Sequence, residues 1–329
     1  MRLIAVEWRR LWHRASARWL VVVLVALLAL GGWSAWRDST PPSAAEAAQA
    51  QQWYEQNRTD WEQVVQDCRR SQADAQAQSP GTPVDLGCDQ LTPPQLSDFV
   101  REVVPWGTST TSLLLLVALA AGLVGLMTGG LFTAGEFGSG VASMWLTFVP
   151  GRTKVYASRL VAVGLWTLTL GVIANQVATW LPWVALRFSG QAPTLPPGFW
   201  ADVWLPYSAY GVGLAVAAAL AGAALGFVLR RGVIILALGI VYLVADTIVV
   251  GNGMRAARWM LSLVSRAFVA GKAGYTTMTC TNDPAFQGAY SCNSVEHTIL
   301  RSQTWLELGL LIGILILGGW LVFRRRDVG

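Results

Sequence analysis

Six runs of apolar residues punctuate the chain, at Trp19–Trp36, Ser112–Phe132, Leu160–Leu181, Tyr207–Leu229, Gly232–Val250 and Trp305–Phe323. Each is close to the ~20 residues a helix needs to cross a hydrocarbon layer of ~30 Å. The pattern predicts an all-α polytopic membrane protein with six transmembrane helices. The stretches between the runs are patterned differently. Residues 1–18 carry Ile4, Trp8, Leu11, Trp12 and Ala15 at helical spacing, with Arg9, Arg10, His13 and Arg14 toward the other side. That predicts an interfacial helix leading into the first span, its Arg on headgroups. Ala44–Gln78 is rich in Ala, Gln and Glu, lacks Gly and Pro, and predicts a long polar helix. Its thin stripe of Tyr54, Trp61, Val64, Val65 and Cys68 suffices to pack on a partner but not to build a core. A third segment, Met254–Ala270, sets Arg255, Arg258 and Arg266 against Trp259, Met260, Leu263, Val264 and Phe268. Three Arg make it a poor span. An amphipathic helix at the outer interface, or dipping part-way in, is expected.

Composition supports this reading. Hydrophobic residues make up 53% and charged residues 13% of 329, against about 25% charged in soluble proteins. A soluble enzyme is excluded. The net charge of +5 needs no nucleic-acid partner, because the basic residues follow the spans. With the N-terminus inside, the inner segments hold Arg2, Arg9, Arg10, Arg14, Arg18, Arg152, Lys154, Arg159, Arg230, Arg231 and Arg324 to Arg326, against only Glu7, Glu136 and Asp327. The positive-inside rule then gives N-in, C-in, with an inner loop at 133–159 and long outer segments at 37–111 and 251–304. The first span is expected to be an uncleaved anchor, because Trp33 and Trp36 stand where a cleavage site needs small residues.

Candidate chemistry is sparse. Cys68 and Cys88 share the first outer segment, and Cys280 and Cys292 share the last. Disulfides within each segment are expected, although four cysteines allow three connectivities. Two histidines, His13 and His297, fall on opposite sides and assemble neither a metal site nor a hydrolase triad. The chain lacks a phosphate-binding loop. Polar residues inside the spans are few. Asn175 and Gln176 line a cavity or bond between helices. Asp246 is either a functional buried acid or the partner of Arg255 or Arg258 near the surface. Small residues recur at four-residue spacing in Ala121-Gly125-Gly129, Ala218-Gly222-Gly226 and Gly309-Gly313, which predicts close helix crossings.

The inner loop is the most informative stretch. It opens with the acid–aromatic pair Glu136-Phe137 and continues through a Gly/Ser-containing segment with Met144 and Trp145. Leu146-Thr147-Phe148-Val149-Pro150 follows, and then Arg152 and Lys154. This resembles the first intracellular loop of ABC-2-type permeases, the transmembrane subunits of ABC exporters. The six spans, an elbow helix before the first and outer helices between the fifth and sixth agree with that plan. The first outer segment, far longer than in compact members, departs from it. The resemblance implies that a short helix at 138–150 seats Met144, Trp145 or Phe148 in a groove of a separate ATPase, with Arg152 and Lys154 on the rim. It also implies a P-loop ATPase subunit carrying ATP and Mg, a second permease subunit (a copy or a homologue), and no cofactor or catalysis in this chain. An apolar pathway suits amphiphilic, lipidic or drug-like cargo, and membrane lipids surround the chain. The expected location is a bacterial cell membrane. Two other classes fit the sequence. One is a non-transporting scaffold, sensor or immunity protein that binds a partner through its outer helix. The other is an intramembrane enzyme or proton-coupled carrier using Asp246.

Overall fold

The computed structural model describes residues 2–78, 86–138, 151–282 and 290–325. Nine helices and one hairpin are seen among them. They are α1 (Arg2–His13), α2 (Ala15–Ser39), α3 (Ala44–Gln78), α4 (Trp106–Gly138), α5 (Arg152–Phe188), α6 (Leu205–Leu229), α7 (Gly232–Gly251), α8 (Leu261–Ala270), the strands β1 (Lys272–Asn282) and β2 (Tyr290–Leu300), and α9 (Arg301–Arg325). Six helices are long and apolar enough to cross a membrane: α2, α4, α5, α6 with the turn before it, α7 and α9. Each contains one of the six apolar runs. The helices overrun those runs by up to eight residues at an end, as at Arg152, because backbone hydrogen bonding continues after the side chains turn polar.

Helix α4 is the hub. Two-thirds of its most apolar stretch is buried, against about a tenth for α7 at the periphery. It lies against α6 through glycines. A methyl group at Gly222 would strike the Leu126 carbonyl, and one at Gly129 the Ala219 carbonyl. Gly125 faces the Ala215 carbonyl at 2.8 Å from where a Cβ would sit. Backbones that approach this closely gain packing that lipid does not supply. Two of the three small-residue patterns thus mark one crossing. The third does not, since Gly309 and Gly313 on α9 face open space.

Both chain ends meet at one face of the bundle. The Arg152 guanidinium donates to the Arg324 carbonyl (3.0 Å) and the Tyr156 hydroxyl to the Ile316 carbonyl (2.7 Å), joining α5 to α9 beside α1. The opposite face carries α3 and the hairpin. Helix α3 occupies the expected residues and opens on a capping box: Ser43 N–H donates to Glu46 Oε2 (2.8 Å) and Glu46 N–H to Ser43 Oγ (3.2 Å). These bonds hold the Glu46 carboxyl below its ordinary value. The Cys68–Cys88 disulfide, with Cα atoms 5.8 Å apart, ties the following segment back to α3.

The last inter-helix segment corrects the all-α expectation. Instead of one helix over 254–270, a tight turn at Arg255–Trp259 precedes the ten-residue α8, and an antiparallel hairpin follows. Helix α8 is buried on two sides: Val264, Phe268 and Val269 pack against α4, α6 and α9, and Leu263 and Ala267 pack against the hairpin. At ten residues it is about 15 Å long, half of what crossing needs. Its ends are made by other elements. Asp246 on α7 accepts from Ser262 N–H (3.3 Å) and from the Tyr242 hydroxyl (3.3 Å), and that hydroxyl accepts from Leu261 N–H (2.7 Å). At the other end, Arg301 donates to the carbonyls of Phe268 and Val269, both at 2.8 Å. An acid at the N-terminus and a guanidinium at the C-terminus match the helix dipole. The β1–β2 register sets Cys280 opposite Cys292; their side chains lie outside the described residues.

Candidate functional site

Two sites stand out, one at the face where the chain ends meet and one on the flank of the bundle. The first is a buried charge cluster. Helix α1 folds along the ends of α4 and α5, with Leu11 fully buried and Trp12 edge-on to Trp166 at 6.3 Å. This docking turns Glu7, Arg10 and Arg14 inward at i, i+3 and i+7 spacing. They meet Glu136 from the last turn of α4 and Arg159 from the second turn of α5. Glu136 is 0% exposed and Arg159 1% exposed, and the two form a salt bridge. Arg14 reaches Glu136 at 3.1 Å, and Arg10 reaches Glu136 at 3.5 Å and Glu7 at 3.6 Å. Arg159 also lies 3.9 Å from Glu7. Arg14 further donates to the Phe132 carbonyl at 2.8 Å.

Three guanidinium groups thus surround two carboxylates with little water. Burial, and then the neighbouring Glu136 charge, push the Glu7 carboxyl above its ordinary value, and the Arg groups oppose them. Below the cluster lies an aromatic layer drawn from α4, α5, α6 and α9. Phe227 sits 4.8 Å from both Tyr156 and Phe323, Phe137 5.9 Å from Phe227, and Arg230 covers Phe137 at 5.0 Å. These ring contacts and the ion cluster together fix four helix ends and α1 as one unit. What the arrangement does chemically is hold geometry: it brings together no nucleophile with a base, and no metal-holding group of ligands occurs among the described residues.

The expected coupling residues separate here. Glu136 is not on a surface that faces a partner; it is the centre of the cluster. Phe137 is packed into the aromatic layer. Met144, Trp145 and Phe148, with the short helix expected at 138–150, lie outside the described residues. Arg152 joins α9, and Lys154 is exposed. The helical wheel of α1 is also corrected. Its buried line runs through Glu7 and Leu11, while Trp12 is exposed, so Arg10 and Arg14 face protein and not only headgroups. Glu7 and Arg159 went unmarked by sequence reasoning. The available signal was that Glu7 is the sole acid among six basic residues (five Arg and His13) before the first span.

The second site is a groove of about 660 Å³ between α5 and α6. Asn175 and Gln176 both line it, with Ser208 and Trp204. The Asn175 amide donates to Ser208 Oγ at 2.9 Å, and the Trp204 indole to Thr179 Oγ1 at 2.9 Å. At one end of the groove Trp204 joins a group of indoles in tilted and edge-on contact with Trp200, Trp180 and Trp106. Asp246 lies elsewhere. Its expected pairing with Arg255 or Arg258 does not occur, because it caps α8 and Arg258 pairs with Glu307 at 3.0 Å. No protein-family model matches the chain, and no curated protein matches it.

Proposed function

We propose that this chain is the membrane subunit of an ATP-driven exporter whose motor is a separate P-loop ATPase. The observation that carries the reading is the buried cluster around Glu136 and Arg159. These residues flank the 139–150 segment on either side and are bonded to the elbow helix. A loop that passes force from a motor needs stiff ends, and a push on it moves α4, α5 and α1 together. Such a unit is suited to switching between two discrete arrangements. In this reading the face bearing the chain ends is cytoplasmic, in agreement with its basic residues. A second permease subunit completes the pathway, the cargo is amphiphilic, and the location is a bacterial cell membrane.

Purification from native membranes tests this directly. A P-loop ATPase should co-purify, and its ATP turnover should respond to amphiphilic cargo. If no ATPase accompanies the chain and no ATP-dependent movement of amphiphiles is found, the reading falls. A second reading, a partner-binding scaffold or sensor, draws on α3, where Trp53 is 58% and Val64 54% exposed. It predicts an extracytoplasmic partner and no ATPase in the same preparation.

A further inference from the structure

The groove between α5 and α6 has features that a lipid-facing surface does not need. From Trp204 to Leu220 it follows sixteen residues of α6. That is about 24 Å at the helical rise, most of the depth of a ~30 Å hydrocarbon layer. Its volume falls within the roughly 300–1,000 Å³ of small-molecule sites. No charged side chain lines it. Its polar groups are the amides of Asn175 and Gln176 and the Ser208 hydroxyl, gathered toward the Trp204 end on an otherwise apolar wall.

Those groups have capacity to spare. Asn175 is more than nine-tenths buried and uses one amide N–H on Ser208. Its Oδ1 remains an acceptor, the Ser208 hydroxyl hydrogen remains a donor, and the Gln176 amide offers both. No hydrogen bond among the described residues engages any of the three. Polar groups facing hydrocarbon without a partner cost free energy, so the site is completed by an occupant that donates and accepts.

Charge complementarity limits what that occupant is. A phosphate or ammonium head finds no counter-ion in the groove, whereas a hydroxyl, ester or amide head finds both donors and acceptors. We propose that the groove binds an uncharged amphiphile. Its head is hydrogen-bonded by Asn175, Gln176 and Ser208, and its chain lies along the apolar wall toward Leu220. As a cargo site the groove rests on the exporter reading above; as a binding site it is tested alone.

The test uses the full chain in nanodiscs with no ATPase present. The probes are a monoacylglycerol and a lysophosphatidylcholine, each with a photoactivatable diazirine in the acyl chain. The neutral probe should label peptides covering 168–176 and 204–220 saturably, and the zwitterionic probe much less. Gln176→Leu should weaken neutral-probe binding about fivefold, the share of one hydrogen bond. Gly213→Leu should block labelling while leaving the fold intact, because a Cβ there meets nothing within 4 Å. Three results would overturn the proposal. They are unchanged labelling in Gly213→Leu, equal labelling by both probes, or Gly213→Cys chains joining into covalent dimers, which assigns this face to a second copy. Absence of saturable labelling in the wild-type chain sinks the groove and leaves the motor reading standing. Labelling by a chain that never co-purifies with an ATPase does the reverse.

Discussion

Replacing Arg159 with Met is the sharpest test of the buried cluster. Of the three guanidinium groups Arg159 alone is essentially sequestered; Arg10 and Arg14 keep side-chain exposures of 30% and 26%. Removing it leaves Glu136 and Glu7 buried with those two rim groups as their cations among the described residues. Breaking a buried ion pair from one side costs about 3–5 kcal/mol, and the remaining Arg contacts put this case near the lower end. At about 2–4 °C per kcal/mol for chains of comparable size, detergent-solubilised Arg159→Met should unfold roughly 6–12 °C below wild type. The double variant Arg159→Met with Glu136→Leu removes the pair as a unit. Glu7 keeps Arg10 at 3.6 Å, and Arg14 keeps the Phe132 carbonyl at 2.8 Å. Much of the loss should return, giving a coupling free energy above about 1.5 kcal/mol in the double-mutant cycle. Glu7 adds a pH signature. Its folded carboxyl value is raised, so its stabilising contribution is full below the ordinary value of 4.5 and fades as pH rises through the raised folded value. Glu7→Gln should flatten that dependence. Strictly additive single and double variants, or an Arg159→Met unfolding temperature within 2 °C of wild type, would refute the cluster as a structural unit.

Other outcomes follow from the same structure. Cys68→Ser opens a loop of sequence separation 20; the chain-entropy estimate for such a loop is about 3 kcal/mol, so limited proteolysis should begin cutting between α3 and α4. Gly222→Val should separate α4 from α6, because the new side chain collides with the Leu126 carbonyl; Ala218→Val, one turn away, should be far milder by thermal unfolding. Arg301→Gln loses both bonds to the end of α8 and the contact over Tyr210 at 3.9 Å. A loss of about 2 kcal/mol is expected, with faster hydrogen exchange confined to α8 and the hairpin base. Trp145→Ala should release or uncouple the ATPase of the proposed complex without changing the chain's own unfolding temperature; retained ATPase with wild-type turnover would end that assignment.

Much of this architecture is legible in the order of residues alone, because a bilayer leaves little choice. A run of about 20 apolar residues must hydrogen-bond its own backbone, so six runs become six helices whatever surrounds them. The Ala44–Gln78 helix was equally readable, since its propensity and its Ser43–Glu46 cap are local. So was the pairing of Cys68 with Cys88, confined to one segment. What the residue order leaves open is which partner each polar side chain finds. Asp246 had Arg255 and Arg258 as near neighbours in sequence, yet the packing of α8 against α7 brought it a helix N-terminus instead. Met254–Ala270 reads as one amphipathic helix until α4, α6 and α9 offer a slot only ten residues deep. Glu136 and Arg159 stand on either side of the 139–150 segment, and only the docking of α1 along the ends of their helices brings Glu7, Arg10 and Arg14 to close around them. Local propensity and hydropathy decide where helices form, and the contacts between distant elements decide where their charges go.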